Sequence, residues 1–319
     1  AQVPSLGVPS ILPSIRARAK MTDMLEDGPP LIFRDGQWLP CETAEDDGVV
    51  LEHVKVLSFN VWFHNLMWQE RIAGILTELQ HEGPAVATFQ EVTAPQWEAV
   101  LAEPWVQQHC WISCLPSDIL RDGCLHGPCP YEVTMLGFGP PPRRLAIQRL
   151  PSEMKRKALH CWLHQLHVVG VHLESYVRMA PVRRAQVAAV AAVLSGGAVV
   201  IGDWNTASQE ELAILAESYG LQDLWHHGGD GSPGFTFDTV ANPMGNIHGK
   251  TGVRARCDVA MGFKLSHLTA KSVRLLGHRP LPGLRTPEGD ALFPSDHFGI
   301  ILELASPQAV AEGSKDAVE

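Results

Sequence analysis

Six times along this chain a short apolar run begins or ends at side chains able to hold a proton, a metal ion or a phosphate. Asn60 follows Val56-Leu57-Ser58-Phe59, and Glu91 follows Val86-Ala87-Thr88-Phe89-Gln90. His172 follows Val168-Val169-Gly170-Val171, while Asp203 and Asn205 close the run Val199-Val200-Ile201-Gly202. Asp258 follows Arg256-Cys257, and Asp296 and His297 precede the run from Phe298. Apolar runs of this length suit buried strands. A side chain at a strand end is fixed by the core yet faces an open edge, so strands lying side by side would bring these groups to one rim. Each alone is ordinary: an Asp after a strand is usually a turn residue or helix N-cap. Jointly they supply carboxylates and amides for a divalent cation and phosphate, with two imidazoles beside an anionic centre.

Between these runs, strand and helix patterns alternate. Ile72, Ile75, Leu76 and Leu79 recur at helical spacing over 68–80, Pro95–Leu101 reads as a helix, and Pro181 opens an Ala/Val-rich helix stopped by Gly196-Gly197. Further helical spacing covers 210–219. Strand patterns fall on 111–115, 131–138, 145–150, 159–166, 168–173, 235–239, 256–261, 268–275 and 299–304. The adjoining 159–166 and 168–173 read as a tight hairpin or one long strand. Consecutive strands mixed with crossover helices imply a layered α/β sandwich, two mixed sheets face to face with helices outside. Residues 49–305 show no linker long enough to divide them. The Pro-, Gly- and acid-rich 1–48 reads as a mostly flexible arm, with a short hairpin at Arg34-Asp35-Gly36-Gln37, and 306–319 as a polar tail.

Charge stands in tension with a nucleic-acid substrate. The 319 residues carry a formal net charge of −10, whereas phosphate contacts usually dominate nucleic-acid affinity. Arg143, Arg144, Arg149, Lys155, Arg156 and Lys157 form a local basic strip that serves either phosphate binding or a solvated edge. The seven cysteines are odd in number and irregularly spaced, which implies free thiols in a reducing compartment. Cys124 and Cys129 beside His126 invite a zinc reading, but no second Cys/His pair follows at finger spacing. No eighteen-residue apolar run marks a membrane span, and the first twenty residues lack the apolar centre of a secretory signal.

The ordered set Ser58-Phe59-Asn60, Gln90-Glu91-Val92, His172-Leu173-Glu174-Ser175, Gly202-Asp203-Trp204-Asn205, Arg256-Cys257-Asp258 and Ser295-Asp296-His297-Phe298-Gly299 resembles the motif series of the endonuclease/exonuclease/phosphatase superfamily over residues 50–304. His172–Ser175, Phe235-Thr236-Phe237-Asp238-Thr239, Leu150-Pro151-Ser152 with Met154 and Arg156, and Phe293–His297 look most like the 5′-tyrosyl-DNA phosphodiesterases. The resemblance implies a four-layer, DNase I-like α/β (α+β) sandwich. It implies hydrolysis of a 5′-phosphotyrosyl or related 5′-phosphodiester linkage that leaves a 5′-phosphate.

By the same resemblance, Glu91 binds Mg²⁺ (or Mn²⁺) with Asn60 beside it, and Asp296 acts at the metal or its water shell. Asp203 aligns the attacking water, Asn205 holds the phosphate, and His297, oriented by Asp258, stabilises the pentacovalent phosphorus. His172 and Ser175 contact the scissile phosphate. Arg156, Arg178 and Tyr131 are candidate substrate contacts, and Phe237 stands where that branch carries a base-stacking tryptophan. Phe237 and Tyr131 equally suit a packed core. The implied partners are nucleic-acid 5′ ends bearing tyrosine or protein adducts, met by an intracellular monomer in nucleus or cytoplasm, away from membranes. Three departures stand out. Trp62 replaces an acidic residue two places after the Asn, Arg178 falls one place late, and the Gly123–Pro130 loop has no recognised counterpart. Another superfamily phosphodiesterase, acting on abasic sites, poly(A), lipid or inositol phosphates, and a non-catalytic binding module are the alternatives.

Overall fold

A computed structural model describes residues 25–43, 48–125, 127–194, 196–206, 208–249 and 251–307. The first half of the chain runs β1 (Leu25–Asp27), β2 (Leu31–Arg34), β3 (Gln37–Pro40), β4 (His53–Asn60), α1 (Trp68–Glu82), β5 (Val86–Thr93), α2 (Ala94–Ala102), α3 (Pro104–His109), β6 (Cys110–Ile112), α4 (Pro116–Asp122), β7 (Tyr131–Phe138) and β8 (Arg144–Arg149). The second half runs β9 (Lys157–Leu163), β10 (Leu166–His172), α5 (Ala180–Val193), β11 (Ala198–Asp203), α6 (Gln209–Tyr219), β12 (Gln222–Asp223), α7 (Trp225–Gly228), β13 (Phe237–Asp238), β14 (Arg254–Ala255), β15 (Asp258–Phe263), β16 (Thr269–Leu276) and β17 (Gly299–Ala305).

One sheet has the order β1-β8-β9-β10-β11-β15-β12 and the other β16-β17-β4-β5-β7-β6-β2-β3. Each joins a parallel pair, β10–β11 or β4–β5, to antiparallel neighbours. Parallel neighbours need a crossover, and α5 and α1 supply it. Val56, Val86, Met135, Val168, Ile201 and Leu302 pack between the sheets. The next residues along the same strands point outward: Leu57 packs with Ile72 and Leu79 of α1, and Val169 with Val187 and Val190 of α5. Strands buried on both faces must be apolar at every position, hence the unbroken runs in the sequence. The result is the expected four-layer sandwich.

Local differences from the sequence reading have local causes. Helices α3 and α4 each begin with Pro after an extended residue, and at six and seven residues are too short to show a period. The strand expected over 111–115 therefore shrinks to Cys110–Ile112; separately, that over 235–239 is Phe237–Asp238, paired with Arg254–Ala255. The hairpin joining β9 and β10 turns at His164-Gln165, with His164 at φ +47°. Asp35 (φ +52°) and Gly36 (φ +78°) make the expected β2–β3 turn, whose two central residues both need positive φ. Residues 25–40 add edge strands to both sheets, β1 on β8 and β2 on β6. The flexible-arm expectation for residues 1–24 and 44–47, and most of the 306–319 tail, lie outside the described residues. Among the described residues no helix is long and apolar enough to cross a membrane, and all seven cysteines are free thiols.

Candidate active site

Strand register brings the polar ends to one level. His172 lies opposite Asp203, Asp203 opposite Asp258, and Asn60 opposite Gln90. Gly202 permits this: at φ +147°, a Cβ there would sit 2.0 Å from the Val171 carbonyl oxygen, so only glycine lets β11 lie this close to β10. Asn60 Nδ2 donates to Asp203 Oδ2 at 3.0 Å, a bond that joins the two sheets, and the Asn205 amide donates to Asp203 Oδ1 at 2.9 Å. Burial, then the nearby Asp258 carboxylate, push the Asp203 carboxyl up to about 6.

Glu91 sits at φ +59° where β5 slips register between Phe89 and Val92, which turns it out of the pleat. Its Oε2 accepts from the Phe63 amide at 3.4 Å. Burial and the charge of Asp296 raise its pKa to about 7. Asp296 is buried, with Ser295 Oγ 3.3 Å away.

The two imidazoles are in opposite states. Arg156 Nη1 is 2.8 Å from His172 Nδ1. A guanidinium can only donate, so Nδ1 is the acceptor and the proton sits on Nε2. Burial and the Arg156 charge hold His172 neutral, well below its ordinary pKa. Its Nε2–H points toward Asp203 Oδ2 at 3.5 Å and Glu91 Oε1 at 4.0 Å. With Nδ1 accepting from Arg156 and Nε2 protonated, it has no lone pair left for a metal. His297 Nδ1 lies 2.8 Å from Asp258 Oδ2. Burial alone would lower its pKa, but Asp258, Asp296 and Asp203 outweigh burial and raise it to about 10, so it is an imidazolium at neutral pH.

Arg156 also donates from Nη2 to Ser175 Oγ at 2.9 Å and lies 5.5 Å from the Tyr131 ring centre. Tyr131 is buried and stacked on Phe63. The Phe237 ring is 5% exposed and packs 5.1 Å from the His297 ring. Asn205 donates from Nδ2 to the Leu173 carbonyl at 3.1 Å. The fold thus gathers Asn60, Glu91, Arg156, His172, Ser175, Asp203, Asn205, Asp258, Asp296 and His297, with Tyr131 and Phe237 as walls. Arg178 is exposed and makes its ring contact with Tyr176, the guanidinium 5.1 Å over that ring.

Two features noted in the sequence take definite form. Most of the basic strip is spent on protein partners: Arg143 donates to the His164 carbonyl, Arg144 pairs with Asp27, Arg149 with Glu26, and buried Lys157 with Glu132. Trp62, at the expected acidic position, is 1% exposed at φ +60° and adds no carboxylate; its indole stacks on His64.

The sequence reading missed Arg71. It is fully buried and donates to the carbonyls of Val61, Trp62, His64, Leu66 and Pro294, which clamps the loop after Asn60. A cation falling on the Ile75–Leu79 stripe of an amphipathic helix was the available signal. Thr236 Oγ1 accepts from the Cys257 and Asp258 amides and fixes the start of β15; the sequence reading quoted Thr236 within the Phe235–Thr239 motif but gave it no role.

Among the described residues, the groups able to hold a metal are Glu91 with His172 and Asp203, and Asp203 with Asp258 and His297. The His126 of the zinc reading lies outside the described residues. Protonated His172 Nε2 and the Asp258–His297 pair leave Glu91 and Asp203 as the oxygen donors of these two groups, with both Asp203 oxygens already bonded by Asn60 and the Asn205 amide and buried Asp296 beside Glu91. Glu91 and Asp203 have raised pKa values, which marks a pocket short of positive charge, and hard oxygen donors suit Mg²⁺.

No family model and no curated protein matches the chain. Solved structures do. A Danio rerio TDP2 complexed with single strand DNA product is 21% identical, with TM-score 0.61, covering 79% of this chain and 98% of that one. A Bacteroides thetaiotaomicron mannosyl-6-phosphatase is 15% identical, with TM-score 0.58, covering 79% and 99%. An endonuclease/exonuclease/phosphatase from Beutenbergia cavernae is 17% identical, with TM-score 0.56, covering 80% and 72%. These likenesses establish that the chain has the endonuclease/exonuclease/phosphatase fold.

Proposed function

We propose that this chain is a divalent-metal-dependent phosphodiesterase of the endonuclease/exonuclease/phosphatase superfamily. Its substrate is a 5′-phosphotyrosyl or related 5′-phosphodiester linkage at a nucleic-acid end, cleaved to leave a 5′-phosphate. The observation that carries this reading is the Asn60–Asp203 hydrogen bond across the two sheets, with Glu91, neutral His172 and cationic His297 around it. Glu91 would hold Mg²⁺, with Asp296 nearby, and the bound ion would neutralise charge on the phosphoryl oxygens.

The rest of the chemistry belongs to the side chains. Asp203, both oxygens fixed by amide donors, orients water and accepts its proton. His297 directs Nε2–H at the charge building on the phosphoryl oxygens while Asp258 holds Nδ1–H. His172 Nε2–H and Ser175 meet the phosphate under the support of Arg156. A phenolate leaves readily, so no strong acid is needed on the leaving side.

Hydrolysis of a 5′-tyrosyl oligonucleotide, an abasic duplex, poly(A) and a phospholipid, each with Mg²⁺, Mn²⁺ or EDTA, tests the reading. Metal-dependent turnover highest on the 5′-tyrosyl end is the expected result. Turnover confined to the phospholipid would replace it with a second reading, which the net charge of −10 and the protein-paired arginines favour.

A further inference from the structure

Tyr176 immediately follows Ser175 and is built unlike its surroundings. It is 47% exposed and is the aromatic among the exposed large hydrophobic residues described. Its backbone lies at φ +70°, ψ 143°, a region that side-chain-bearing residues avoid at a cost of about 1–3 kcal/mol. Such strain persists only where its surroundings impose it. Here fully buried Arg183 donates to the carbonyls of both Glu174 and Tyr176, and is itself gripped through Nε and Nη2 by Glu211. Glu174, also buried, is locked by Ser152, the Glu153 amide and Gln186. Buried polar bonding on Arg183 and Glu174 therefore fixes the backbone that carries an exposed aromatic ring one residue beyond Ser175, which Arg156 ties into the phosphate pocket. The Arg178 guanidinium stands 5.1 Å over that ring.

A nucleic-acid end needs a grip that this acidic protein does not obtain from its paired arginines. Of the site's other rings, Phe237 is 5% exposed and Tyr131 is 2% exposed, while half-buried Phe63 has a face stacked on Tyr131. We infer that Tyr176, backed by Arg178, is the stacking platform for a nucleobase of the strand whose scissile phosphate lies at Asp203 and His297. The inference rests on the nucleic-acid reading above. Stacking is indifferent to net charge and to base identity, so the platform selects a strand with bases near its end without reading sequence.

The test uses the full chain and two 5′-tyrosyl oligonucleotides, one complete and one with abasic residues at its first three positions. Wild type should show a KM about tenfold lower for the complete strand, the scale expected for one stacked base. Tyr176→Gly accepts the same backbone without strain, so it should fold at least as stably. It should raise KM about tenfold on the complete strand and less than twofold on the abasic one, with Tyr176→Phe restoring the preference. If Tyr176→Gly shifts both strands equally, or neither, while wild type turns both over, the platform is refuted and the nucleic-acid reading stands. If wild type hydrolyses bis(4-nitrophenyl) phosphate with Mg²⁺ but neither oligonucleotide, both fall together.

Discussion

Asp203 has one oxygen held by the Asn60 side chain and the other by the Asn205 amide. An amide in its place would keep the shape and lose the proton acceptor. Asp203→Asn should therefore cut turnover about 10²–10⁴-fold while the melting temperature stays near wild type; unchanged turnover would remove Asp203 from the reaction. Ionisation sets the pH window. Asp203 must be deprotonated, so activity should rise through about pH 6, or lower with the metal bound. His297 must be protonated, so activity should fall through about pH 10. Its raised pKa also adds stability that is full below the ordinary imidazole range and is lost as pH climbs through about 10. His297→Gln should abolish the alkaline limb, measured as kcat against pH. Such residues were legible in the sequence because each stands at the end of an apolar run. The protonation state of His172 was not, because Arg156, sixteen positions away, decides it.

Elements carry the next layer. The stripe of Ile72, Ile75, Leu76 and Leu79 announced α1, and the structure buries it. Arg71 on the same face was overlooked because a cation on an apolar stripe has a use only once the loop above it is seen. Arg71→Leu would leave five carbonyls without this donor, and should cost at least about 3 kcal/mol, measured by denaturant unfolding. Strand contact is equally exacting at Gly202. Gly202→Ala would press a methyl into the Val171 carbonyl, part β11 from β10 and displace Asp203. A loss of roughly 2–3 kcal/mol together with a fall in kcat is expected; a stable, fully active variant would contradict the register argument. The short helices α3 and α4 were illegible because six or seven residues do not complete two turns of pattern.

For the whole molecule, unbroken apolar runs implied strands covered on both faces, and two crossover helices implied parallel neighbours, so the layering was readable. The sheet order was not, since pairing between β17 and β4 joins segments more than 240 positions apart. Nor was the fate of the basic strip, because the acids that neutralise Arg144 and Arg149 come from β1. What the assembled sandwich adds is a pocket where carboxylates from both sheets raise one another's pKa. With Glu91 at about 7, Mg²⁺ binding at neutral pH should release roughly half a proton, seen by calorimetry in buffers of different ionisation enthalpy. The most direct measurement is hydrolysis of a 5′-tyrosyl oligonucleotide as Mg²⁺ is titrated, with wild type and Glu91→Gln side by side. The half-saturating Mg²⁺ concentration should rise at least about tenfold in the variant, as expected when one of very few protein ligands is lost. Identical Mg²⁺ curves, or turnover that persists in EDTA, would contradict a single metal-and-phosphate pocket built around Glu91, Asp203 and His297.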